Sequence, residues 1–314
     1  MGACERRCEL RLGEAGYPSC VAHLASPPKR LYIRGDPGVL GAPALAIIGS
    51  RRATPYGLAL VEMAARVAVE SGLVVVSGGA RGCDQAAGLA ALDAGGRHVV
   101  VLGTGADVVY PSTSAPLIER ALATGGTVVS IEPWGTQPMR WAFPKRNRVI
   151  AALAEALFVS EAGMPSGTFS TAEAAMELNH EVLVAPGSIL SPESRGSNYL
   201  IGMGACCIAD VEALEVAISR IYGTLRCCRA PTPATGADAG TACERRLIKM
   251  LTANPMRDAE IAEALGLDAI ACMRMLSALE MRGEVERLVD GRFSPTRRAL
   301  HARGGLGQNG GRAM

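Results

Sequence analysis

From residue 44 onward the chain alternates short, almost uninterrupted apolar runs with longer stretches where apolar residues return at helical spacing. The runs fall at 44–48, 73–76, 98–102, 127–131, 156–160 and 181–185. Runs that are apolar at nearly every position suit strands covered on both faces, as in parallel sheets. Helix-length segments at 56–70, 83–94, 115–124, 146–154 and 170–179 lie between them and supply the crossovers. The pattern predicts a doubly wound, mostly parallel α/β domain over 41–223, preceded by a short lead-in segment at 1–40. Ligands of such sheets lie at the carboxyl ends of the strands.

After a last helix at 213–222 the pattern breaks. Pro, Ala, Gly and Thr without periodicity mark a linker, placed at 224–240. Residues 241–297 then predict a small unit with helices at 245–252, 257–265 and 269–282. Asp290-Gly291 between two alternating runs signals a hairpin. Three helices and a hairpin make a winged helix. Residues 298–314 are rich in Gly and Arg and read as a disordered tail.

Composition narrows the function. With 314 residues, 49% hydrophobic and 20% charged, the chain can bury a sizeable core. The formal net charge of +2 excludes a partner held by a global field, so any anion site must be a local cluster. Only Lys29, Lys145 and Lys249 among the 32 basic residues are lysines, which reads as a genome-wide arginine bias. No long apolar window predicts a membrane span, and the charged N-terminus has no apolar leader core, so no membrane partner is expected. Ten cysteines without a CxxC pair, and four scattered histidines, predict reduced thiols and no metal. No GxGxxG follows the first strand and no GxxxxGK[ST] occurs, so no cofactor is expected. His98 and His180 read as structural residues beside strands.

Local chemistry concentrates at the strand ends. The first strand runs into IIGSRRATPYG, where Gly49, Ser50, Arg51 and Thr54 precede a helix and form an anion cradle. The second ends in SGGARGCD, with Gly78, Gly79 and Arg81; Asp84 reads as a helix-dipole partner. The third ends in LGTGADVVYP, with Gly105. Ser166 and Gly167 make a further turn before a helix. Between them, MRWAFPKRNRV carries Arg140, Lys145, Arg146 and Arg148 with Asn147, interleaved with Trp141 and Phe143 and free of acids. Cations and aromatics together give phosphate contacts and base-stacking faces, the composition of a single-strand binding loop.

These blocks, in this order, resemble the DNA-processing protein A (DprA/Smf) family. GSRRAT at 49–54, SGGARGCD at 77–84, GTGADVVYP at 103–111, FPKRNRVIAALA at 143–154, EAGMPSGTFSTAEAA at 161–175, VAPG at 184–187 and GSNYLIGMGA at 196–205 carry the resemblance. Where many relatives have a lysine after the Tyr-Pro pair, this chain has Ser112-Thr113-Ser114. The resemblance implies an extended Rossmann fold with a C-terminal winged helix. It also implies a cytoplasmic homodimer, not an enzyme, that binds single-stranded DNA in natural transformation. Such a protein protects the incoming strand and helps load the RecA recombinase. Carried over, Arg51, Phe143, Arg146 and Arg148 face the DNA.

Two other readings start from the same residues. A nucleotide phosphoribohydrolase-like enzyme would need a catalytic acid near MPSGTFSTAE, where Glu173 reads as a solvated helix residue. A ligand-sensing transcription regulator would read duplex DNA through the winged helix. That unit, however, holds ten basic and nine acidic residues over 243–298, which disfavours tight duplex binding.

Overall fold

The computed structural model describes residues 7–224 and 242–304. Its α/β body holds nine strands: β1 (Arg7–Arg11), β2 (Arg30–Gly35), β3 (Ala44–Ile48), β4 (Val74–Ser77), β5 (His98–Leu102), β6 (Thr127–Ser130), β7 (Ala156–Val159), β8 (Glu181–Val184) and β9 (Cys206–Cys207). They form one sheet in the order β1-β2-β6-β5-β4-β3-β7-β8-β9. Strands β6 through β9 of that order pair in parallel, while β2 joins β6 and β1 antiparallel. The six expected strands are all present. The lead-in is not separate: β1 and β2 extend the sheet.

The body's helices are α1 (Ser19–Ala22), α2 (Pro55–Glu70), α3 (Cys83–Asp93), α4 (Ala115–Ala123), α5 (Ala142–Ala152), α6 (Thr168–Glu177), α7 (Arg195–Gly202) and α8 (Val211–Tyr222). Thr54 starts α2: its side chain accepts the Gly57 N–H, and Pro55 follows at the first helical position. Val61, Ala64, Ala65 and Ala68 then turn inward and pack with Leu45, Ile47 and Phe158 on one face of the sheet. The other face buries Ala46, Ile48, Val149, Ile150 and Leu157. Both faces are therefore dry, which explains the continuous apolar runs.

Strand order reverses at β3. The chain moves outward through β4, β5 and β6, then returns so that β7 lies on the opposite side of β3. The loops after β3 and β7 diverge there and leave a crevice at their carboxyl ends.

The second unit contains α9 (Ala242–Ala253), α10 (Asp258–Leu265), α11 (Ala269–Met281), the antiparallel pair β10 (Val285–Arg287) and β11 (Phe293–Pro295), and α12 (Arg297–Gly304). Leu247, Leu251, Ile261, Leu276, Leu279 and Phe293 form its core. It is the expected winged helix. Gly291 adopts φ +86° in the hairpin turn. The tail expected from 298 instead begins as α12, because Ala299 is buried and His301 reaches Glu62 of α2. The segments 225–241, which cover almost all of the linker, and 305–314 lie outside the described residues.

The winged helix meets the body through charges. Arg297 and His301 bind Glu62, His301 at 2.8 Å, and Arg292 binds Glu193 at 2.8 Å. A cavity of about 590 Å³ lies between the units, bordered by Glu161 and Ile189 on one side and Lys249 and Leu300 on the other.

Candidate nucleic-acid interface

The crevice at the switch point is an open cleft of about 510 Å³. One wall is the loop after β3, with Gly49, Ser50, Arg51 and Arg52. The facing wall is the loop before α6, with Gly163, Met164, Pro165, Ser166, Gly167 and Thr168. Arg146 and Asn147 of α5 line its base beside Asp84, and Glu193 stands at its rim.

Close packing explains the glycines. A Cβ on Gly49 would lie 2.5 Å from Ser160 Oγ and 2.6 Å from Cys83 Sγ, so the backbone can descend onto α3 only without a side chain. A Cβ on Gly78 would overlap the Arg146 guanidinium.

Arg146 organises the base. It is only 4% exposed, and its Nη1 donates to the Val101 carbonyl at 2.9 Å. Its guanidinium lies 5.8 Å from the Phe143 ring centre, and its Nε has no partner. Burial lowers its pKa to about 10, Asp84 works against that shift, and the group remains a cation at neutral pH. Burial pushes the Asp84 carboxyl up, opposed by Arg146 and by the Ala80 and Gly78 amides. Asp84 Oδ2 accepts the Gly78 N–H at 3.1 Å and the Ala80 N–H at 3.4 Å. Asp84 thus sits in the first turn of α3, as expected, and also ties down the glycine loop ahead of it.

Asn147 fixes the opposite wall. Its side-chain amide donates to Ser170 Oγ at 2.8 Å and to the Gly167 carbonyl at 3.5 Å. The Ser50 hydroxyl accepts the Arg52 N–H at 3.1 Å and shapes the first wall.

A second surface adjoins the cleft across Arg146. Phe143 is half-buried with its ring centre 5.9 Å from that of Tyr110. Lys145 Nζ lies 4.6 Å above the Trp141 ring, and Met139, Tyr110 and Trp141 are all about half exposed. Arg140 and Arg148 are exposed on the same segment. The helix expected from 146 starts earlier, at Ala142, so Phe143, Lys145, Arg146, Asn147 and Arg148 all face different directions from one rigid element.

Of the residues singled out from sequence, the cleft gathers Gly49, Ser50, Arg51, Arg146, Asn147, Ser166 and Gly167. Arg140, Phe143, Lys145 and Arg148 belong to the adjoining ledge or to the exposed side of α5. Gly78 and Gly79 are buried behind the cleft, and Arg81 is exposed at the end of the same loop. Thr54 and Gly105 fall elsewhere. Thr54 is buried and donates its hydroxyl to Glu161 at 2.7 Å, so it holds the start of α2. The Gly105 N–H donates to Thr136 O at 2.9 Å, which ties that turn to the loop after β6 and outside the cleft lining. Sequence reasoning left Arg52, Met164, Pro165, Thr171 and Glu193 out of the site. The Arg51-Arg52 doublet was the available signal for the first of these.

His98 has no part in the cleft. It is fully buried, with Nδ1 2.8 Å from Val75 O and Nε2 3.3 Å from Ser77 Oγ. Burial lowers its pKa to about 4, against the Val75 hydrogen bond. Among the described residues there is no cluster of three metal-ligating side chains, and no helix is long and apolar enough to cross a membrane.

Comparison with known proteins gives a consistent set of relatives. The family model described as DNA recombination-mediator protein A matches residues 10–218, and the DprA winged helix domain model matches 230–291. The chain is 40% identical over 189 residues to the DNA processing protein DprA of Streptococcus pneumoniae, covering 60% of this chain and 66% of that one. It is 34% identical over 198 residues to protein Smf of Escherichia coli, covering 63% and 53%. The chain thus spans about half to two thirds of the curated relatives it matches. Among solved structures, Streptococcus pneumoniae DprA is similar with a TM-score of 0.62 at 36% identity, over 67% of this chain and 73% of that one. DNA processing protein A from Helicobacter pylori, described for its single-stranded DNA binding mode, is similar with a TM-score of 0.61 at 30% identity, over 68% and 97%.

Proposed function

The chain belongs to the DNA recombination-mediator protein A family, and from that premise we propose that its cleft and ledge bind single-stranded DNA in natural transformation. One observation carries the reading. Arg51, Arg52 and the desolvated cation Arg146 converge on a cleft walled by glycine-rich backbone, with aromatic faces immediately beside it. Phosphates lie in the cleft against Arg51 and the turn amides, and bases stack on Trp141, Phe143 and Tyr110. The name of the Helicobacter pylori neighbour supports this choice of ligand. Nothing in this arrangement offers base-edge readout, so sequence preference is small.

In the same reading the protein shields the incoming strand and helps load RecA, acts as a cytoplasmic homodimer, and catalyses no reaction itself. The phosphoribohydrolase alternative places its acid on Glu173, which is on the exposed side of α6 and outside the cleft lining. The duplex-reading alternative relies on α11 and its cap. Arg282 there is paired with Glu244 at 2.7 Å and with Glu284 at 2.8 Å, while Ile270, Met273 and Met281 are exposed. That face suits a neutral contact better than a polyanion.

The test is a shift assay with oligo-dT and with duplex across a salt series. We expect preference for the single strand and a log-log salt slope of roughly −0.7 for each phosphate neutralised. Equal binding of duplex, or a slope near zero, would overturn the reading.

A further inference from the structure

The contact between Arg292 and Glu193 sits on the cleft itself. Glu193 lines the rim, where its side chain is 25% exposed. The Ser191 hydroxyl donates to it at 2.7 Å from the body, and Arg292 of the winged-helix hairpin reaches it at 2.8 Å. Burial works to raise the Glu193 carboxyl, but the Ser191 and Arg292 hydrogen bonds hold it below the usual carboxylate range, so it is ionised at neutral pH. Arg292 also pairs with Asp290 at 2.7 Å, and Arg257 adds a second positive field at Asp290. The cluster thus balances two acids against two bases.

A bare carboxylate on that rim would oppose a phosphodiester backbone. Paired with a cation at hydrogen-bond distance it becomes a dipole, whose field falls off much faster than that of a charge. Arg292 therefore aids binding without having to touch DNA.

We propose that the winged helix acts as a charge cover for the cleft: when seated, it places Arg292 on Glu193 and cancels a rim charge that repels the strand. This rests on the single-stranded DNA reading above. By linkage, seating of the winged helix and binding of DNA then favour one another equally.

A four-variant cycle on the full chain, read by fluorescence anisotropy with oligo-dT at low salt, tests it. Arg292→Ala leaves Glu193 bare and should weaken binding roughly three- to ten-fold, a gap that shrinks as salt rises. Glu193→Gln removes the rim acid while Arg292 stays paired with Asp290 alone, and should bind more tightly than wild type. The double variant should return close to wild type, so that affinity follows the net charge at the rim. If the double variant is as weak as Arg292→Ala, Arg292 acts by direct contact or through folding, and the proposal fails. If Glu193→Gln weakens binding, docking itself rather than charge is what matters, and the proposal fails again. An unchanged Arg292→Ala variant beside a wild type that binds overturns the charge cover alone. A wild-type chain that does not bind oligo-dT overturns the functional reading and the cover with it.

Discussion

Lys145 and Arg146 are neighbours on α5, carry the same charge, and do opposite work. Arg146 points inward, 4% exposed, onto the Val101 carbonyl and beside Asp84. Lys145 points outward over the Trp141 ring in solvent. The same division runs through the whole site. An inner set of buried polar groups, Arg146, Asp84 and His98, fixes the sheet edge and its loops. An outer set, Arg51, Arg52, Lys145 and Arg148, is exposed to solvent and, in the proposed reading, meets the ligand. Charges buried this way are costly to break, because each leaves a desolvated partner behind, whereas exposed ones contribute little to stability.

Arg146→Ala should show the largest effect. It strands Asp84 and the Val101 carbonyl, and we expect a loss of about 3–5 kcal/mol in urea unfolding. Arg146→Met with Asp84→Asn should recover much of it. An Arg146→Ala protein of unchanged stability would erase the distinction between the two sets. His98 tests the inner set by pH. Its folded pKa of about 4 lies below the ordinary 6.5, so only the unfolded chain takes up the proton as pH falls through that window. Through His98 the wild type should therefore lose about 1.6 kcal/mol between pH ~6.5 and ~5, a loss that His98→Gln should lack. For the outer set, Arg51→Ala should weaken oligo-dT binding about ten-fold, near 1.4 kcal/mol, with the melting temperature unmoved. The smallest effect belongs to Lys145→Ala: under ~0.5 kcal/mol in stability, and a salt slope shallower by about 0.7.

Much of this division was hidden in the sequence. The continuous runs at 44–48 and 98–102 exposed the parallel sheet, because strands buried on both faces leave that signature. The glycine turns pointed to the strand ends where the cleft opens. What the sequence could not separate was Arg146 from Lys145 and Arg148: a basic run has one composition whether a residue faces the core or solvent. Starting the expected helix at 146 left Phe143 and Lys145 outside it, which removed the helical phase that would have parted Lys145 from Arg146. Strand β1 stayed hidden because its alternation, with Arg7, Glu9 and Arg11 exposed, looks like a polar lead-in, and β2 because its apolar run is only Leu31, Tyr32 and Ile33 between arginines. Glu193 was invisible for another reason. Its place at the rim, and its partner on a separate unit, are set by packing between residues 99 positions apart.

Strand β3 is made early but sits in the middle of the sheet. Its pairing with β4 can form soon after synthesis, whereas the other edge waits for β7, with Ile48 opposite Val159. During vectorial synthesis from the N-terminus, a wholly apolar strand therefore stands with one open edge while more than a hundred residues are added. The nascent chain is most vulnerable to intermolecular strand pairing in that interval. The switch in strand order that opens a ligand crevice in the finished protein is thus also the step on which its safe arrival at the native state depends.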